Sequence, residues 1–207
     1  SIARSIYHEA FTLDFQLQNI FVAAELEAGE ADPAFANVDV STIIDRVVEA
    51  HDFQLSEKSM TVKADREKPL SFSTDARMVR LILNNLLGNA IEFGNEGGHI
   101  DVSAEAVDGA LRLIVKDDGK GIPKEDQESI FDRFRQLETG TTKSHRGHGL
   151  GLSIVRSLVE MLGGELQLDS ASDKGCMVTI MLPEPDAVVQ DSAREGNMFI
   201  FDDAEQF

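Results

Sequence analysis

Asp117-Asp118-Gly119-Lys120-Gly121-Ile122 is the stretch on which the reading of this chain turns. It follows an apolar run, Leu111, Leu113, Ile114 and Val115, whose alternation predicts a strand. A carboxylate therefore arrives at the end of a rigid strand, with two glycines close behind it. Glycine opens backbone angles closed to other residues and lets a ligand come near the main chain. A carboxylate held there can accept a hydrogen bond from an exocyclic amine such as that of adenine. Taken alone, the same residues also read as a plain Asp-Gly turn between strands. The flanking segments decide between the two.

Upstream, Asp75 is placed to cap a helix whose apolar period runs through Met78, Val79, Leu81, Ile82, Leu86, Leu87 and Ile91. Asn84, Asn85 and Asn89 interrupt it. Asparagine is a poor helix former, because its amide competes for backbone hydrogen bonds. Asn85 and Asn89 are four apart and project from one face. A carboxamide oxygen suits Mg²⁺, which binds phosphates on its other side; a polar residue bonding a neighbouring loop is the plainer alternative. Gly97 and Gly98 lead into a hairpin with strands near 99 to 107 and 110 to 117.

Downstream, Ile130 to Phe134 reads as a short helix end with two aromatics that anchor a loop. Residues 136 to 148 are polar and carry Lys143, His145 and Arg146. They read either as a lid with phosphate contacts or as a solvated loop. Gly147-His148-Gly149-Leu150-Gly151-Leu152 then opens a helix ended by Gly163-Gly164. Alternating glycines before a helix let successive N–H groups point at one anion, aided by the helix dipole. The loop follows no strand and lacks Gly-Lys-Ser/Thr, which disfavours the dinucleotide and P-loop readings. Strands near 165 to 169 and 176 to 182 close the domain.

The first 28 residues predict one helix. Ile2, Ile6, Ala10, Leu13, Leu17, Ile20 and Ala24 recur at steps of three and four, a dimer or bundle seam, with Phe11, Phe15 and Phe21 widening it. Residues 30 to 37 form a linker, followed by a short strand at 38 to 40. Ser41 is the expected cap of a second helix with Ile43, Ile44, Val47, Val48 and Phe53 on its inner face. Met60, Val62 and Ala64, then Leu70 and Phe72, predict the two strands of a hairpin around Asp65 to Pro69. Residues 184 to 207 form an acidic tail.

The 207 residues are 42% hydrophobic and 27% charged, enough to bury a core. A net charge of -18 argues against nucleic acid as a partner and requires a cation or local positive groups beside any polyphosphate. One cysteine, Cys176, excludes an internal disulfide and a multi-cysteine metal site; it reads as a core residue. No apolar run long enough to span a bilayer occurs. Because the chain opens inside a helical pattern, it is expected to be part of a longer one.

Four segments in this order resemble the catalytic ATP-binding domain of sensor histidine kinases, over residues 38 to 183. That family shares a superfamily with DNA gyrase, mismatch-repair ATPases and the heat-shock chaperone ATPase. Asn85 to Phe93 resembles the N box, Asp117 to Gly121 the G1 box, Ile130 to Phe134 the F box and Gly147 to Leu152 the G2 box. The resemblance implies an α+β fold: a two-layer α/β sandwich, a mixed sheet with helices on one face, here preceded by a long N-terminal helix. It implies an ATP site drawn from Asn85, Asn89 and Phe93, from Asp117, Gly119, Gly121 and Ile122, from Phe134, Lys143 and Arg146, and from Gly147, His148, Gly149, Leu150, Gly151 and Leu152. Asn89 would hold Mg²⁺, Asp117 the adenine amine, and Gly149 to Gly151 the phosphates.

The first helix resembles the second helix of the kinase dimerisation hairpin. His8-Glu9 with Thr12 partly resembles the phosphoacceptor box, but Leu13 stands where that box has proline, so the acceptor is expected upstream. Glu92 stands where the family has a lysine. The resemblance implies an ATP-dependent protein-histidine kinase that acts as a homodimer with a response regulator, cytoplasmic or the cytosolic part of a membrane-anchored sensor. A second function class is a degenerate pseudokinase, a dimerising module that works by binding partners.

Overall fold

The computed structural model describes residues 2–132 and 149–185, without the side chains of residues 2–5, 7 and 8. Helix α1 (Ile2–Ala28) leads to strand β1 (Ala36–Asp39), helices α2 (Val40–Ala50) and α3 (Asp52–Glu57), and strands β2 (Thr61–Arg66) and β3 (Ser71–Thr74). Helix α4 (Ala76–Phe93), strands β4 (His99–Val107) and β5 (Ala110–Asp117), a 3-10 turn (Ser129–Phe131), helix α5 (Gly151–Met161) and strands β6 (Glu165–Ser170) and β7 (Cys176–Pro183) complete it.

The main sheet is mixed, in the order β2-β4-β5-β7-β6. Only β2 and β4 run parallel. Alternation along β5 sends Leu111, Leu113 and Val115 into the core, while Arg112 and Lys116 stay outside. Ile100, Val102 and Ala104 of β4 and Val178, Ile180 and Leu182 of β7 bury the same side. Helix α4 lies between α2 and α5 over that face. Its Met78, Val79, Ile82, Leu83 and Leu87 are almost wholly buried. The two-layer α+β fold with a leading helix is thus the one expected.

The register corrects one expectation. Residues 61 to 66 and 71 to 74 are strands but not a hairpin. β2 pairs with β4, parallel, Thr61 opposite His99, and β3 pairs with β1, Ala36 opposite Thr74. Alternation states that a segment is a strand and not which strand it meets. The cap of α2 is also different: Asp39, not Ser41, accepts the Ser41 N–H at 3.0 Å and the Ser41 and Thr42 hydroxyls at 2.6 and 2.7 Å. Leu70 N–H, just before β3, donates to the same carboxylate at 3.1 Å. The chain breaks at His51, so Phe53 belongs to α3 and not to α2. Asp75 caps α4 as expected, accepting Met78 N–H at 2.9 Å.

Helix α1 divides its apolar residues between two faces. Phe15, Val22, Ala23 and Leu26 pack on the core, and Phe11 meets His51 edge-on with ring centroids 5.4 Å apart. Phe11 and Phe15 therefore do not widen the seam. The seam positions Ile6, Leu13, Leu17 and Ile20, with Phe21, are 44 to 65% exposed. Helix α1 both packs on its own domain and keeps a second apolar stripe at the surface.

Candidate functional site

The site grows from the C-terminal half of α4. Asn85 is buried and Asn89 half-buried one turn later. Both hydrogens of the Asn85 amide are engaged, with Leu81 carbonyl and Asn19 Oδ1, each at 2.9 Å. Asn19 of α1 donates in return to Asn85 Oδ1 at 3.1 Å. At the end of α4 the Lys58 ammonium donates to the carbonyls of Ile91 and Glu92, both at 2.7 Å. A cation on the last carbonyls satisfies orphan acceptors and complements the helix dipole.

The carboxylate turn after β5 is packed against this end of α4. A Cβ placed on Gly119 would lie 2.7 Å from Phe93 carbonyl and 3.0 Å from Gly94 Cα, so only glycine lets the loop come this close. Asp117 Oδ1 accepts Gly119 N–H at 2.8 Å, which shapes the turn. Burial pushes the Asp117 carboxyl up, against the opposing pull of the Gly119 and Cys176 N–H bonds; the Asp118 charge adds to the rise. Asp118 itself accepts His99 N–H at 2.9 Å and so ties the turn to β4.

Gly121 has another task. Its φ is +64°, and a Cβ would collide with Ala171 carbonyl. It seats the loop on the β6–β7 turn, where Ile122 N–H donates to Ser170 Oγ at 2.9 Å and Gln127 bridges Ile122 and Ser170 carbonyls at 3.0 and 2.7 Å. Ser170 and Gln127 carry the loop's shape, and sequence reading missed both. Their signal, a serine ending a strand and a glutamine in a polar turn, is too common to single them out. Phe93 is exposed beside the loop, with Lys120 Nζ 5.0 Å from its ring centroid.

The third wall is the start of α5. Gly149 takes φ +67°, Leu150 is buried, and the first helical bond is Ile154 N–H to Leu150 carbonyl. Among the described residues no side chain caps this end, where the N-cap is the apolar Leu150; the Ser153 hydroxyl donates to Leu150 carbonyl at 2.8 Å. The N–H groups of the first turn therefore keep no intrahelical partner. A Cβ on Gly151 would sit 2.7 Å from Asn85 Oδ1, so α4 and α5 touch at this point. One helix thus meets both glycine segments, through Asn85 near its middle and Phe93 at its C-terminal end. Arg156 of α5 covers the Phe131 ring at 5.7 Å, which ties the 3-10 turn to the same helix.

These neighbours suit a magnesium-bound nucleotide in chemistry. They supply an uncapped helix start for phosphates, a carboxamide with a hard oxygen, and a carboxylate acceptor beside close-packed backbone. Among the described residues no cluster of His, Cys, Asp or Glu could hold a metal by itself, so a cation here would rest on Asn89 and on oxygens of the ligand. Phe134, Lys143, Arg146, Gly147 and His148 lie outside the described residues, as does the side chain of His8.

The chain is similar to proteins of known family. The family model for histidine kinase-, DNA gyrase B-, and HSP90-like ATPases matches residues 74–186. The sensor histidine kinase WalK of Bacillus subtilis is 37% identical over 151 residues, 70% of this chain and 23% of WalK. Hybrid signal transduction histidine kinase D of Dictyostelium discoideum is 30% identical over 173 residues, 81% of this chain and 11% of that protein. Full-length ShkA in complex with AMPPNP superposes with a TM-score of 0.71 at 27% identity, over 85% of this chain and 36% of ShkA. Histidine kinase ThkA in complex with the response regulator TrrA shares the fold, with a TM-score of 0.65 at 22% identity over 82% of this chain and 48% of that one. The chain spans from 11% to 50% of the length of such curated relatives. It belongs to the histidine kinase-, DNA gyrase B- and HSP90-like ATPase family, as an ATPase domain of the histidine-kinase type.

Proposed function

We propose that this chain is the ATP-binding catalytic domain of a sensor histidine kinase, passing the γ-phosphoryl group of ATP to a histidine on a dimerisation hairpin. The observation that carries the reading is the double contact of α4, with Gly151 through Asn85 and with Gly119 through Phe93. A ligand lying along that helix reaches an anion-binding helix start and the half-buried Asp117 carboxylate together. Asp117 accepts the adenine amine, the backbone from Gly149 to Gly151 receives phosphate oxygens, and Asn89 holds Mg²⁺. When bound, the cation offsets phosphate charge that this chain, at -18, would otherwise repel. In the transfer, the imidazole nitrogen forms a bond to phosphorus as the bond to the β-phosphate oxygen breaks. ADP leaves and the imidazole gives up its N–H proton.

The exposed stripe of α1 is the surface on which a second copy pairs, as one half of a dimerisation hairpin. A response regulator receives the phosphoryl group, as the ThkA–TrrA pair suggests by fold. The domain works in the cytoplasm. Among the described residues no helix is long and apolar enough to cross a membrane. Nothing observed favours the degenerate, non-catalytic reading.

The test uses γ-labelled ATP and Mg²⁺ with the longer kinase that carries this domain. The expected product is a label stable to base and lost in acid, as a phosphoramidate is. A kinase that binds ATP but never acquires such a label would reject the reading.

A further inference from the structure

We propose that Asn19 of α1 is a positioning residue for nucleotide binding: by engaging the Asn85 carbonyl oxygen it keeps the first N–H groups of α5 free for phosphate. The inference rests on the reading of the α4–α5 junction as the nucleotide site.

Asn19 stands in none of the sequence motifs and is 66 residues from its partner. It is nonetheless one of the few buried polar residues, 8% exposed, and Asn85 is 4% exposed. Their two amides exchange hydrogen bonds of 2.9 and 3.1 Å. The orientation is fixed from outside the pair. Leu81 carbonyl can only accept, so the Asn85 atom facing it must be Nδ2. That choice points Asn85 Oδ1 at Asn19 Nδ2 and toward Gly151, where an added Cβ would come within 2.7 Å.

The consequence concerns what this oxygen does when Asn19 is absent. A buried carbonyl oxygen without a donor is costly and seeks the nearest one. Across the contact with Gly151 lie the N–H groups of the first turn of α5, which have no intrahelical partner and are the groups a phosphate must use. Asn19 satisfies the oxygen from the other side and removes that competition.

The test is a double-mutant cycle read in ligand affinity, with Mg²⁺ and AMPPNP titrated calorimetrically into wild type, Asn19→Ala, Asn85→Ala and the double variant. Asn19→Ala is expected to weaken binding about tenfold, the scale of one unsatisfied buried acceptor. The double variant is expected to bind no worse than Asn85→Ala, because once the oxygen is gone Asn19 has nothing to restrain. Asn19→Leu separates packing from hydrogen bonding and serves where the alanine variant folds poorly. It should melt near wild type yet bind as weakly as Asn19→Ala. Wild-type affinity in Asn19→Leu, or losses from the two single changes that simply multiply, would overturn the proposal. Failure of the wild type itself to bind would instead remove the nucleotide site on which the proposal rests.

Discussion

Asp117 sits in a conflict that makes it informative. Its carboxylate is partly withdrawn from water, which raises its pKa, while two backbone N–H groups favour the charged form. A carboxyl raised in the folded state favours folding only while protonated. That contribution is complete below the unfolded value of 3.8 and is lost as pH rises through the folded one. Asp117→Asn should therefore leave the melting temperature at pH 7 unchanged or higher while nucleotide affinity drops. In wild type, affinity should decline as pH falls toward the raised pKa, because protonation consumes the acceptor; calorimetry across pH reads both.

The glycines separate at the same scale. Gly121→Ala puts a Cβ at positive φ into a backbone carbonyl, so it should destabilise the fold by about 2 kcal/mol or more, measured by denaturant unfolding. Gly151→Ala keeps an ordinary helical position but crowds Asn85 Oδ1, so binding should suffer more than stability. Cys176 is held inert by burial, with the nearby Asp117 charge adding to the effect, its thiol pushed up to about 12. Iodoacetamide at pH 8 should label it only after denaturation.

Among the elements, the cap of α2 and the surface of α1 each give a prediction. Hydrogen bonds from the Ser41 and Thr42 hydroxyls and from backbone N–H groups lower the Asp39 carboxyl to about 2. Here the sign is the reverse of that at Asp117. The stabilising contribution is present above the unfolded value of 3.8 and is lost as pH falls through about 2. Asp39→Ala should lower the melting temperature at pH 7 by a few degrees, with the difference from wild type vanishing in acid. The outward stripe of α1 is tested by Leu17→Glu combined with Ile20→Glu. If that stripe joins two copies, sedimentation should show a shift from dimer to monomer with the nucleotide site intact.

Elements were also where sequence reading met its limits. The strand near 99 to 107, its partner at 110 to 117 and the capped helix with three asparagines could be read because period, turn glycines and cap are all local signals. The partner of residues 61 to 66 could not. It lies across α4, and no local pattern encodes a pairing over that separation. The seam of α1 was visible as period, but the second face was not. Phe11, Phe15, Asn19 and Val22 fall at helical steps too, and the same helix satisfies both patterns. An asparagine within an apolar stripe was the available hint of Asn19, the signal that had already singled out Asn85.

For the molecule as a whole, α4 is the element that links the motifs. Asn85, Phe93, Asp117, Gly119 and Gly151 come from three parts of the chain, and α4 touches Gly151 through Asn85 and Gly119 through Phe93. The motifs were legible one by one because each has a chemical reason for its residues. Gly121 shows what they could not say, since the β6–β7 turn comes so close to it that a Cβ there would meet Ala171 carbonyl. At the start of α5, helix dipole and backbone N–H groups bring positive potential to a chain whose net charge is -18.

The most direct test is a calorimetric titration of AMPPNP with Mg²⁺ into wild type and into Asn89→Ala and Asp117→Ala. Saturable binding at one site in wild type, dependent on Mg²⁺, with each substitution weakening it by about tenfold or more, is the predicted result. No binding at millimolar ligand, or binding that both variants retain in full, would contradict the account.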